Sequence, residues 1–197
     1  MRGRKLRLGS DQRGIALVEF ALVAPVFLLM VLGGLELLHT MYVRSVLTGQ
    51  LQKASRDLSL EDASATVRQE AIRTTVESAV RNVMPTATVT MVSKSFHDYT
   101  NAANPAEELS DANHNGKCDK GEAFIDSNRN GTWDQDGSAE GRGGAKDVVL
   151  LTATVSYDRL PLAQLFGNGP KIEMSAKTLL RNQPSDQQAD PPTVICK

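Results

Sequence analysis

The sequence predicts an α+β protein: a long N-terminal transmembrane helix that continues into a head with a second helix and a three-stranded antiparallel sheet, interrupted by a long acidic insertion. Three observations predict it. Ile15 to Leu38 is a nearly unbroken apolar run of 24 residues, where about 20 helical residues suffice to cross a bilayer core. Three later stretches alternate apolar and polar residues with the period of a strand. Residues 97–146, between the first two of those stretches, are rich in Asp, Asn and Gly and poor in apolar side chains.

The apolar run is preceded by Arg2, Arg4, Lys5, Arg7 and Arg13, so residues 1–14 carry +4 and the rest of the chain −5 out of a total of −1. No comparable basic cluster follows. The positive-inside rule then leaves the N-terminus in the cytoplasm and the remainder outside. A cleaved secretory signal is the rival reading, but its apolar region spans about 7–15 residues and this one is longer. With no basic stripe after residue 14, nothing points to a nucleic-acid partner.

Helical periodicity persists beyond the apolar run, through Tyr42, Val46, Leu47, Leu51, Ala54 and Leu58, with Arg44, Gln50, Lys53 and Arg56 interleaved. Pro25 and the Gly33–Gly34 pair are the places where this helix is expected to bend. Ser59 and Asp62 resemble a capping pair for a second helix, whose apolar stripe is Val67, Ala71, Ile72, Val76, Ala79, Val80 and Val83 and which Pro85 ends. The strands are expected in "TATVTMVSKSF", "DVVLLTATVSYDRL" and "KIEMSAKTLLRN". In the second of these Val149, Leu151, Ala153, Val155 and Tyr157 share one face. The polar, Pro-rich residues 183–197 read as a flexible tail. The chain thus divides into residues 1–14, the span 15–38, the first part of the head 39–96, the insertion 97–146, the C-terminal strands 147–182 and the tail.

A structureless insertion of this length is uncommon unless something organises it. "DANHNGKCDKGE", Asp111 to Glu122, fits the calcium-loop template D-x-[DN]-x-[DN]-G-x5-E at every specified position. Asp111, Asn113, Asn115, the Lys117 carbonyl, Asp119 and Glu122 supply the oxygens, and Gly116 the sharp turn. The pattern restarts at Asp126 with Asn128, Asn130, the Thr132 carbonyl and Asp134. Its twelfth position is Gly137, so the glutamate is missing, although Asp136 stands beside it. One or two structural Ca²⁺ ions are the expected cofactors. No amphipathic helices flank the loops, so these are not EF-hands; the spacing resembles the short calcium loops of dockerins and thrombospondin type 3 repeats. The alternatives are a solvated acidic loop, because Asn, Asp and Gly favour turns anyway, and zinc held by His114 and Cys118, which the oxygen-rich donor set disfavours. Cys118 and Cys196 permit one disulfide in an oxidising compartment. The spacing does not decide whether they pair, and a buried free thiol at Cys118 is the other reading.

Glu19 is the anomaly of the apolar run, since a carboxylate within a membrane helix costs roughly 3 kcal/mol on insertion scales. It is the fifth residue after Gly14, with Phe20 behind it. A basic leader ending in Gly, four apolar residues, then Glu and an aromatic resembles the prepilin peptidase site of type IV pilins and pseudopilins. More narrowly, "RGIALVEFALVAPVFLLMVLGGLEL" and "GQLQKASR" resemble the TadE-like family of Tad (Flp) pilus minor pilins, and "LRNQP" is similar to an ending common in that family. The resemblance covers about residues 12–57; the middle of the chain lies outside it.

The resemblance implies a pilin-like head. It implies that residues 1–14 are a cytoplasmic leader cut between Gly14 and Ile15, and that Glu19 pairs with the amino group so exposed on a neighbouring subunit. Implied partners are the major pilin, other minor pilins, the prepilin peptidase and the inner-membrane assembly platform. The implied location is the bacterial inner membrane, single pass, with a periplasmic head that enters a surface pilus serving adhesion and attachment. The alternative function is an anchored, unprocessed extracytoplasmic calcium-binding module, which has no need of Gly14 and Glu19 at that spacing. An enzyme is not expected: no G-x-S-x-G or H-E-x-x-H motif is present, and His39, His97 and His114 have no evident nucleophile beside them.

Overall fold

The computed structural model describes residues 14–59, 66–159, 171–183 and 187–197. Helix α1, Ile15–Ser59, is one unbroken element of 45 residues that runs through Pro25 and both glycines of the Gly33–Gly34 pair. It contributes to two compact units. The first includes residues 15–41, where the large apolar side chains stand exposed: Leu17 is 74% and Leu22 79% accessible. This segment is long and apolar enough to cross a membrane.

The second unit begins at Tyr42. Here α1 turns amphipathic, and Val43, Leu47, Leu51, Ala54 and Leu58 are buried at helical spacing. The stripe starts at Val43, whereas Tyr42 is 58% exposed. Helix α2, Thr66–Val83, adds Val76 and Val80, with Ile72 and Val83 partly covered. Val67 and Ala71 lie outside the contact, and the expected cap at Asp62 falls outside the described residues.

These faces meet a sheet of β1 (Thr88–Phe96), β3 (Ala139–Glu140), β4 (Val148–Asp158) and β5 (Lys171–Arg181), in the order β3-β1-β4-β5 and antiparallel throughout. Three strands match the alternating stretches. The fourth, β3, corrects the three-stranded expectation: two residues are too few to leave a period in sequence. Val149, Leu151, Ala153, Val155 and Tyr157 are all at most 3% exposed and face the helices as one layer of the core. Burying a valine or leucine side chain such as Val149, Leu151 or Val155 is worth roughly 1.5–3 kcal/mol, so β4 anchors the head.

The insertion is also more regular than expected. It holds the short helix α3, Tyr99–Ala103, capped by Asp98 through the Asn101 N–H at 2.8 Å, and strand β2, Ala123–Ile125. In the stretch expected as a flexible tail, the described residues 187–197 make specific contacts with the insertion. Strand β6, Thr193–Ile195, pairs antiparallel with β2, Cys196 is bonded to Cys118, and the Arg129 guanidinium donates to the Ala189 carbonyl at 3.0 Å. Just after β5, Asn182 is buried, and its amide donates to the carbonyls of Arg142 and Gly144 at 2.8 and 2.7 Å. That clamp fastens the exit of the insertion to the sheet.

Candidate functional site

The first candidate site lies at the start of α1. Gly14 precedes the helix and its carbonyl accepts the Val18 N–H at 3.2 Å. A side chain at position 14 would meet nothing within 4 Å, so the fold itself does not demand glycine there. Ile15 is half exposed, Phe20 is 68% exposed, and Glu19 is exposed between them. Among the described residues, no cation or hydrogen-bond donor meets the Glu19 carboxylate. The side chains of Ile15, Glu19 and Phe20 are thus left exposed by the described residues.

The second candidate site is the pair of loops, and their backbones repeat one another. The fourth residue of each, His114 and Arg129, has φ of 60° and 61°. The sixth, Gly116 and Gly131, has φ of 69° and 77°. Glycine takes that left-handed conformation at no steric cost, which is why the sharp turn falls there.

The hydrogen bonds repeat too. In the first loop Asp111 accepts the N–H groups of Asn115 and Gly116, at 3.2 and 2.6 Å. In the second, Asp126 accepts those of Asn130 and Gly131, at 3.0 and 2.8 Å. The Asn113 and Asn115 amides both donate to Asp119 Oδ2, at 2.7 and 2.6 Å. Asn128 and Asn130 do the same to Asp134 Oδ2, at 3.2 and 2.6 Å. The third, fifth and ninth side chains of each loop therefore converge on one point.

Glu122 closes the first loop. Its two oxygens accept one N–H each, from Ala112 and Asp119, both at 3.0 Å, so each oxygen retains acceptor capacity. Asp111 is held below the usual carboxylate range chiefly by the Gly116 N–H, and Asp119 by the amides of Asn113 and Asn115. Both are ionised at neutral pH. The donor set of carboxylate, amide and carbonyl oxygens suits a hard cation. Among the described residues no three His, Cys, Asp or Glu side chains form a metal-holding group, so any ion here draws on Asn and backbone oxygens as well. With Cys118 in a disulfide, no thiolate is available beside His114 for zinc.

Two residues depart from the sequence expectation. Asp136, expected beside the missing glutamate, has a carboxylate that accepts from Lys94 Nζ of β1 and from the Ser138 N–H. Glu107, upstream of both loops, is 3% exposed, and its carboxylate accepts the N–H groups of Ser127 and Asp134 at 2.8 and 3.0 Å. Burial pushes its carboxyl up, against the pull of those N–H groups. Motif reading missed Glu107 because a loop template is contiguous. The one signal available was a second template that lacked its last ligand.

Residues 14–56 match the sequence model of a family described as TadE-like protein. No curated protein and no solved structure matches the chain. The matched segment covers the first candidate site and nearly all of α1; α2, both sheets and both loops lie outside it.

Proposed function

We propose that the chain is a pilin-like subunit of a Tad pilus system, cut between Gly14 and Ile15, whose role is assembly rather than catalysis. The observation that carries this reading is the start of α1. Gly14, Ile15, Glu19 and Phe20 are displayed at the head of a helix whose apolar side chains the chain leaves uncovered, within a segment matched by the TadE-like family. The glycine that the fold does not require is explained by a peptidase that does. Cleavage exposes the Ile15 ammonium near the membrane boundary, and the Glu19 carboxylate of a neighbouring subunit neutralises it. Each charge is costly in an apolar medium alone, and the pair is compensated only on assembly in one register. In this reading the leader is cytoplasmic, the helix crosses the inner membrane once and the head is periplasmic. The Cys118–Cys196 disulfide supports an oxidising location.

The loops are read as structural calcium sites. Asp111, Asn113, Asn115, Lys117, Asp119 and Glu122 would hold the first ion, and Asp126, Asn128, Asn130, Thr132 and Asp134 much of the second. Bound Ca²⁺ supplies positive charge that lets ligand oxygens close together in a segment with few apolar side chains. Millimolar extracytoplasmic calcium fills even weak sites of this kind.

The test is the N-terminal residue of the protein purified from native membranes, read by intact mass and terminal peptide. A chain beginning at Ile15 is expected. A chain still beginning at Met1 in cells with active peptidase would overturn processing and leave an anchored calcium-binding module.

A further inference from the structure

We infer that Glu107 is the missing twelfth ligand of the second loop, delivered from outside the loop's own sequence, so that the insertion holds two complete calcium sites. The inference rests on the calcium reading above and adds to it a residue that no loop template contains.

The first loop fixes what a twelfth-position glutamate does. Glu122 accepts with Oε1 from the second residue of its loop, Ala112, and with Oε2 from the ninth, Asp119. Glu107 accepts with Oε1 from the second residue of the other loop, Ser127, and with Oε2 from the ninth, Asp134. The two carboxylates make the same pair of bonds in the two loops.

Gly137, the residue at the twelfth position by sequence, accounts for the exchange. A Cβ there would lie 2.5 Å from Glu107 Cγ and 3.1 Å from its Oε1. Only the absence of a side chain at 137 lets Glu107 take the place. The backbone holds it there: the Gly137 N–H donates to the Pro105 carbonyl at 2.7 Å, the Glu107 N–H to the Asp134 carbonyl at 3.0 Å, and the Trp133 indole to the Glu107 carbonyl at 3.0 Å.

Charge points to a cation independently of the template. Glu107 and Asp126 are 3% and 2% exposed, and among the described residues neither has a lysine or arginine partner. Buried carboxylates ordinarily have a paired cation or a metal. Neutral N–H donors orient these two but leave their charge uncancelled.

Trp133, the one tryptophan of the chain, sits in the second loop and reports on it. The experiment is calcium binding to the full chain in detergent, followed by equilibrium dialysis for stoichiometry and by Trp133 emission for the second site. Wild type is expected to bind two ions per chain. Glu107→Gln is expected to bind one and to lose the calcium response of Trp133, while Glu122→Gln binds one and keeps it. Gly137→Glu alone is expected to disrupt the second site by collision with Glu107. Combined with Glu107→Ala, it returns a glutamate to the twelfth position and restores both the second ion and the Trp133 response.

Two ions in Glu107→Gln would overturn the assignment and leave calcium binding standing. Loss in Glu107→Gln without recovery in the double variant would reduce Glu107 to a structural staple, and so overturn it too. Failure of wild type to bind calcium would overturn this inference together with the calcium reading.

Discussion

Residues 15–41 and residues 43–58 belong to one helix, yet their apolar side chains meet opposite fates. In the second stretch Val43, Leu47 and Leu51 are at most 1% exposed, covered by the chain's own sheet and second helix. In the first, Leu17, Leu22 and Met30 are each more than 70% exposed. The later stretch is packed by this chain, whereas the earlier one is left exposed and is long and apolar enough to cross a membrane. The same contrast extends to polar groups. Asn182 is tied into the head by specific hydrogen bonds, whereas among the described residues none reaches the Glu19 carboxylate.

The comparison is tested most severely at Glu19. In the pilin-like reading Glu19→Ala abolishes or strongly impairs piliation, because the Ile15 ammonium of the neighbour loses its partner. The thermal unfolding of the head should stay within about 0.5 kcal/mol of wild type, as for surface changes away from any packed feature. Normal piliation with this variant would sink the pairing role. A large stability loss would show that the two stretches do not differ as described.

Leu51→Ala is the reciprocal change. A buried leucine replaced by alanine costs about 2–5 kcal/mol, which is a large share of the stability of a small domain. Leu22→Ala, on the same helix, should leave head unfolding unchanged. Denaturant midpoints of the two variants measure the contrast directly, and equal shifts would erase it.

The disulfide comes next. Cys118 and Cys196 are separated by 78 residues, and closing a loop of that size contributes about 4 kcal/mol on the chain-entropy account. Cys118→Ala with Cys196→Ala should lower head stability by several kcal/mol and free β6 from β2, seen as faster amide exchange at residues 193–195. Calcium removal should act more locally. At a calcium concentration 100-fold above Kd a bound ion stabilises the folded loop by about 2.7 kcal/mol. Chelation should therefore make residues 107–140 protease-sensitive while β1, β4 and β5 stay protected. Identical digestion with and without chelator would remove calcium from the account.

What was legible in the sequence follows the same division between local and distant causes. The period of β4 and the α1 stripe through Leu47, Leu51, Ala54 and Leu58 are local signals, and the structure buries them as read. Val43 replaced Tyr42 because two neighbours on a helix differ by 100° of arc, which composition alone does not resolve. β3 and β6 are two and three residues long, too short for a period, and each exists because a distant strand offers it a partner. The tail reads as polar and Pro-rich, but a disulfide and the β2–β6 pairing hold it. Glu107 was invisible for the same reason: hydrogen bonds from residues 105–107 to residues 134–137 create its position, and no contiguous motif records them.

The smallest expected effect separates packing from charge within the head itself. Lys94 of β1 pairs with Asp136, and their side chains are 42% and 48% exposed. Such a pair contributes about 0.2–1 kcal/mol, because water screens it and two long side chains lose freedom to make it. Lys94→Ala should therefore lower head stability by no more than about 1 kcal/mol at neutral pH, far less than Leu51→Ala. Its pH dependence has a definite sign. The Lys94 contact holds the Asp136 carboxyl below its ordinary value of 3.8. The stabilisation is thus fully present above 3.8 and is lost as pH falls through the lowered value. The difference between wild type and Lys94→Ala should accordingly shrink on acidification and vanish once Asp136 is protonated in both. Denaturant midpoints at neutral and acid pH measure that difference with the other carboxylates cancelled. A difference that persists unchanged on acidification would mean that Lys94 acts through its alkyl stem on the sheet rather than through its charge.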